Sequence, residues 1–178
     1  MEKITLLILY FCIAVSAQNL KLGFDFEIGT IRISYPGGKG ILSVSQLPLS
    51  GHLNLCYNVI EYFSIQGKIG RSIVTEFLGC EYGINGKYKF YKPLYIGCGY
   101  LIHSNKGDYY SNQLVVATTT INIIQLGIGV DIFDFLSIGL DYYVPTSKKV
   151  IVWRGLFEKQ PQTFESMIRL GFNFGWDL

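Results

Sequence analysis

Polar and apolar residues alternate with a period of two along most of this chain. The clearest stretch is 163–178, TFESMIRLGFNFGWDL. There Ile168, Leu170, Phe172, Phe174 and Trp176 alternate with Arg169, Gly171, Asn173, Gly175 and Asp177. Successive side chains of a strand point to opposite faces, so this segment has one oily face and one wet face. Aromatics close the oily face. That suits a strand whose outer side meets lipid and whose inner side meets a polar lumen.

The same alternation divides the rest of the chain into seven more predicted strands. The first, 20–33, sets Leu20, Leu22, Phe24, Phe26 and Ile28 against Lys21, Gly23, Asp25, Glu27 and Gly29. Charges interleaved this regularly with large apolar groups must pair if they leave water, so they belong in a hydrated or salt-bridged interior. The second, 51–60, opposes Leu53, Leu55, Tyr57 and Val59 to His52, Asn54, Cys56 and Asn58. The third, 63–71, opposes Phe63, Ile65 and Ile69 to Ser64, Gln66, Lys68 and Gly70. The fourth, 75–84, turns Glu81 inward and is predicted to end at an Asn85-Gly86 turn. The fifth, 93–103, places Leu94, Ile96, Cys98, Tyr100 and Ile102 outward. The sixth, 114–130, is the longest, and its first half alternates poorly. The seventh, 135–144, sets Leu136, Ile138, Leu140 and Tyr142 against Ser137, Gly139 and Asp141. No stretch outside the N-terminus shows helical periodicity with caps.

Eight strands with short connections near 60–63, 85–92 and 131–134 and longer ones near 34–50, 104–113 and 145–162 define an asymmetric array. The link near 72–74 is the exception. The predicted fold is all-β: an eight-stranded antiparallel up-and-down transmembrane β-barrel, with both termini on the turn side. Closure follows because the first and last strands would otherwise present unpaired edges, and lipid offers no water to satisfy them. Inward glycines relieve crowding in so narrow a barrel.

The N-terminus adds the compartment. Lys3, the apolar run Ile4 to Ile13 and the small exit Val15-Ser16-Ala17 read as a secretory signal peptide over 1–17. The run is too short for a membrane-spanning helix. This leaves 18–178 as one barrel domain. Composition agrees: 49% hydrophobic and only 16% charged residues leave little surface charge for a soluble exported sandwich, and a net charge of +2 is too small to argue for a nucleic-acid partner, so none is expected. Cys12 falls in the leader. Cys56, Cys80 and Cys98 form an odd set, read as packing or lipid-facing thiols rather than a disulfide framework.

In the last strand a polar residue (Arg169), a gap, Gly171, two gaps, Phe174, a gap and Trp176 follow in order. With the alternation over the whole mature chain, this pattern resembles the small eight-stranded outer-membrane β-barrel proteins of Gram-negative bacteria, the OmpA/OmpX-like group. The resemblance implies that Arg169, Gly171, Phe174 and Trp176 form an assembly signal, read by the barrel-assembly machinery during insertion into the outer membrane. The chain departs from the pattern in carrying Asp177-Leu178 after the aromatic.

The candidate chemistry lies in three places. Lys21, Asp25, Glu27, Lys68, Glu81, Asp141 and Arg169 are expected to form a polar network in the lumen. An ion path and a salt-bridged plug are the two readings. Eight strands leave room only for side chains or one small ligand, which favours the plug. Lys148, Lys149 and Arg154, mixed with Trp153 and Phe157, are candidate contacts for lipopolysaccharide phosphates. His52, His103, Ser104 and Glu81 raise a lipid A-modifying hydrolase as an alternative. Neighbouring strand residues point to opposite faces, however, so His103 is expected to be a satisfied rim residue.

Other motifs carry less. Pro36-Gly37-Gly38-Lys39-Gly40 lacks the Ser or Thr and the helix of a phosphate loop. Two histidines and scattered cysteines make no metal set at ligand spacing. Tyr57, Tyr62, Phe63, Tyr91, Phe133, Phe135 and Trp176 are assigned to a turn-side aromatic girdle. Tyr35, Tyr109, Tyr110, Tyr142, Tyr143 and Trp153 are assigned to a loop-side one. A soluble lipocalin-like barrel is a further alternative, but its Gly-x-Trp is replaced by GFDFEIG. The expectation is a non-enzymatic, monomeric outer-membrane barrel without cofactor. It would serve as surface anchor, adhesion or envelope-integrity component and touch outer-membrane lipids and lipopolysaccharide.

Overall fold

A computed structural model describes residues 19–35, 38–42, 49–73, 77–106, 109–110, 114–154 and 160–178. The predicted leader, 1–17, lies outside the described residues. Twelve strands follow in order: β1 (Leu20–Tyr35), β2 (Gly38–Leu42), β3 (Leu49–Ile60), β4 (Phe63–Ile73), β5 (Leu78–Tyr91), β6 (Leu94–Asn105), β7 (Tyr109–Tyr110), β8 (Leu114–Val116), β9 (Thr119–Phe133), β10 (Leu136–Pro145), β11 (Val150–Arg154) and β12 (Gln160–Asp177).

Eight of them close a ring, β1-β3-β4-β5-β6-β9-β10-β12 and back to β1. Every pair in the ring is antiparallel. The seam runs from Lys21↔Asp177 through Phe24↔Phe174 and Ile28↔Leu170 to Ser34↔Thr163, with one register shift at Arg32/Ile33. Closure therefore satisfies the backbone of the first and last strands over nearly their whole length.

The alternation sorts side chains by face. Leu53 (62% exposed), Ile69 (64%), Ile84 (57%) and Trp176 (57%) stand outside the wall, whereas Glu81 and Arg169 are buried within it. An apolar exterior this continuous exceeds what a water-soluble monomer exposes, and its natural solvent is lipid.

Four short strands extend the wall beyond the ring on the loop side. β2 pairs with the upper half of β1, β11 pairs with the start of β12, β8 pairs with β11, and β7 pairs with β8. Beneath them sits an apolar cluster including Ile31, Phe77, Leu101, Ile121, Ile151, Val152, Phe164 and Met167. Apolar side chains thus fill the loop-side end of the bore.

Several boundaries differ from the sequence reading. Asn85-Gly86 is not a turn. Both residues lie inside β5, where Asn85 pairs with Gln66 and Gly99, and the turn falls at Lys92-Pro93. Cross-strand pairing on both sides overrides the local turn preference of the dipeptide. The predicted sixth strand is split. β8 leaves the ring for the loop-side sheet, while β9 starts at Thr119 and runs to Phe133, so the next turn is at Asp134-Phe135.

Outside the belt, Lys92 in the turn between β5 and β6 donates from Nζ to Oε1 of Glu61 in the turn between β3 and β4, at 2.8 Å. That bond lowers the Glu61 carboxyl and raises the Lys92 ammonium from their ordinary values.

Candidate functional site in the lumen

The lumen is built from the inward rows of the eight ring strands and has three levels. The middle level centres on Glu81 of β5. Arg169 of β12 donates from Nη1 to Glu81 Oε2 at 2.8 Å and from Nη2 to Oε1 at 2.6 Å. His52 of β3 adds Nε2 to Oε2 at 2.7 Å, and His103 of β6 adds Nδ1 to Oε1 at 3.0 Å. Four donors fill the lone pairs of one fully buried carboxylate, the condition under which a buried charge is tolerated.

A second carboxylate, Glu27 of β1, shares the same arginine. Arg169 Nη1 reaches Glu27 Oε2 at 2.7 Å, while Lys68 Nζ (2.9 Å) and the Tyr143 hydroxyl (3.1 Å) both donate to Oε1. The Tyr143 ring lies 4.9 Å from the guanidinium carbon and 5.4 Å from the Lys68 ammonium. Gly70 makes room here: a Cβ on it would come within 2.6 Å of the His52 backbone.

His103 ties this level to the cap above. Asn105 turns its amide nitrogen to the carbonyls of Ala117 (2.9 Å) and Ile151 (3.2 Å). Its oxygen therefore faces His103 Nε2, at 3.0 Å. Both ring nitrogens of His103 are thus held by hydrogen-bond partners, one in the bore and one in the cap. The ring stacks on Phe77 with centroids 3.5 Å apart.

The lower level is looser. Asp25 accepts from Gln66 at 3.4 Å and from Asn173. Asp141 accepts from Gln125 at 2.9 Å. Lys87 lies 5.1 Å from the centre of the Tyr95 ring. Among the described residues it has no carboxylate within ion-pair distance. These groups surround a cavity of about 30 Å³, below which a vestibule of about 130 Å³ opens toward the turns. Among the described residues, four carboxylates (Asp25, Glu27, Glu81, Asp141) thus share the lumen with three basic side chains, Lys68, Lys87 and Arg169.

Of the residues singled out from the sequence, Asp25, Glu27, Lys68, Glu81, Asp141 and Arg169 share this interior. Lys21 does not join them. It sits at the turn-side rim, 3.1 Å from Asp177. His103 is wholly buried rather than at a rim, and Tyr143 is wholly buried rather than in a girdle, because both fall on the inward parity of their strands. Lys87 was missed because Asn85-Gly86 was read as a turn, which hid the inward row of β5. His52 was visible in the inward row of its strand, but its partner Glu81 lies on a strand 29 residues away.

Asp25, Glu27 and His52 bring ligand atoms within 4.8 Å of one another, a grouping that the sequence spacing did not reveal. Glu27 there already holds Lys68 and Arg169, so the group is an ion-pair centre. His52 Nδ1 has no hydrogen-bond partner and faces Glu27 Oε1 at 3.9 Å.

The remaining candidates lie elsewhere. Ser104 has the outward parity of β6 and pairs with outward Cys80, whereas His103 points inward, so the two do not face one another. Lys148 pairs with Glu165 at 3.0 Å, Lys149 is exposed, and the Arg154 side chain lies outside the described residues, as does Phe157. Gly171 stands between Glu27 and Gly139, while Phe174 and Trp176 share the outward row of β12. Cys56, Cys80 and Cys98 are free. Pro36 and Gly37 and the side chains of 38–40 lie outside the described residues.

A closed ring, oily outside and ion-paired inside, is the architecture of a transmembrane β-barrel. No family model and no curated protein matches the chain. Among solved structures it is similar to the N-terminal β-barrel domain of Pseudomonas aeruginosa OprF (14% identity, 88% of this chain and 98% of that one, TM-score 0.46). It is also similar to Neisserial surface protein A (10%, 89% and 97%, TM-score 0.46) and to Ail, the attachment invasion locus protein of Yersinia pestis (10%, 88% and 98%, TM-score 0.48).

Proposed function

We propose that this protein is a non-enzymatic outer-membrane barrel that works as a surface anchor, adhesion or envelope-integrity component, with its lumen plugged. The carrying observation is that Glu81, held by Arg169, His52 and His103, blocks the bore beneath an apolar cap, while the outer wall is dressed for lipid. In this reading residues 1–17 are a cleaved leader and the termini face the periplasm. Arg169, Gly171, Phe174 and Trp176 are read by the assembly machinery, and Lys148, Lys149 and Arg154 touch lipopolysaccharide. The protein acts as a monomer.

Outer-membrane fractionation with heat-modifiable migration on a gel tests the location. Planar-bilayer recording tests the plug: the folded protein should give no steady conductance, and a stable open channel would refute it. The hydrolase alternative has no support from Ser104 and His103, which face opposite ways. An unchanged lipid A profile on overexpression is expected. A lipocalin-type carrier would need an open apolar cavity, whereas here ion pairs and packed side chains fill the centre.

A further inference from the structure

The lipid-facing surface has one irregularity that the proposed role does not use. The outward row of β4 reads Phe63, Ile65, Gly67, Ile69, Arg71, Ile73. Gly67 leaves a gap in it: a Cβ there would meet nothing within 4 Å. Leu55 and Ile84 flank the gap at the same height, and Leu53 and Tyr82 flank Ile69 above it. The result is an open groove of about 630 Å³, with Tyr100 on its far wall.

One outward position beyond Ile69, the last groove-lining residue of β4 on the loop side, stands Arg71, exposed and bracketed along its own strand by Ile69 (64% exposed) and Ile73 (56%). Its cross-strand neighbours are small, Gly51 on one side and Cys80 on the other. Among the described residues it has no hydrogen bond or ion pair. A guanidinium among lipid-facing isoleucines is costly unless an anion meets it, and its planar fork matches phosphate oxygens.

We infer that the groove seats one acyl chain of a phosphate-bearing, lipid A-type lipid, with Arg71 on the phosphate. The inference rests on the outer-membrane reading above. The apolar trough and the cation beyond it on the loop side have the polarity of such a lipid lying in the loop-side leaflet.

Native mass spectrometry of the full barrel, folded in a non-ionic detergent and titrated with diphosphoryl lipid A, tests it. The wild type should retain one lipid. Arg71→Gln should weaken retention by about tenfold, and so should Gly67→Leu, which fills open space without disturbing the wall. Lys92→Gln, at the turn side and away from the groove, should retain the lipid as before. Equal retention by the wild type and both groove variants would overturn the inference. So would equal retention of the same lipid stripped of its phosphates, or a dimer that Gly67→Leu abolishes in place of lipid binding. Heat-modifiable migration of each sample keeps the two readings apart: a protein that folds and fails to hold lipid removes this site, whereas one that never forms a barrel removes the outer-membrane reading.

Discussion

The loop-side and turn-side halves of the lumen are filled by opposite means. Above Glu81, Phe77, Leu101, Ile121, Ile123, Ile151 and Phe164 pack with no measurable exposure, as in the core of a soluble protein. Below it, Asp25, Asp141 and Lys87 surround open volume and lean on amides rather than on one another. One strand supplies both halves: β1 turns Ile31 and Ile33 into the cap and Asp25 and Glu27 into the bore. A narrow barrel therefore does not need a uniformly polar interior. The loop-side end, filled by apolar side chains, can be dry, and the end open to solvent can stay wet.

Substitutions should break this contrast unequally. The largest effect is expected at the boundary. Glu81→Ala leaves Arg169 and both histidines without their shared acceptor and should cost about 3–5 kcal/mol in urea unfolding of the vesicle-inserted barrel. Phe77→Ala, in the dry half, should cost about 3 kcal/mol in the same assay through the cavity it leaves. Its loss should also release the stacked His103 ring, seen as a changed ring signal by NMR. In the lower half, Lys87→Gln should cost no more than about 1 kcal/mol, because Lys87 has no ion pair to lose among the described residues. A penalty at Lys87 matching that at Glu81 would erase the distinction. The smallest effect belongs to Glu61, outside the bore. Its lowered carboxyl contributes stability that is present above the unfolded carboxyl range and lost as pH falls through the folded value. Because the pair with Lys92 is fully exposed, Glu61→Gln should leave the unfolding midpoint at neutral pH nearly unchanged.

Most of the ring was legible because period-two alternation is a property of each strand by itself. Leu53 outward and His52 inward follow from parity alone. The charges of the bore were legible for the same reason, since Asp25, Glu27 and Lys68 interrupt no hydrophobic row. What escaped depended on partners far away in the chain. Asn85-Gly86 carries a turn signal that β4 and β6 overrule by pairing on both sides, and with it went Lys87. Tyr143 looks like an interfacial aromatic until Glu27, 116 residues earlier, accepts its hydroxyl. The loop-side sheet of β2, β7, β8 and β11 has strands as short as two residues, too brief for any periodicity to register. The grouping of His52 with His103 is written nowhere locally. It exists because Glu81 reaches both.

Three thiols among the described residues, one facing in and two facing out, make the barrel its own topological probe. Cys56 lines the vestibule, whereas Cys80 and Cys98 stand on the outer wall at different heights. A membrane-impermeant maleimide applied from the turn side should tag the first alone. Spin labels on the other two should report distinct immersion depths in the acyl layer, giving an orientation without any engineered residue.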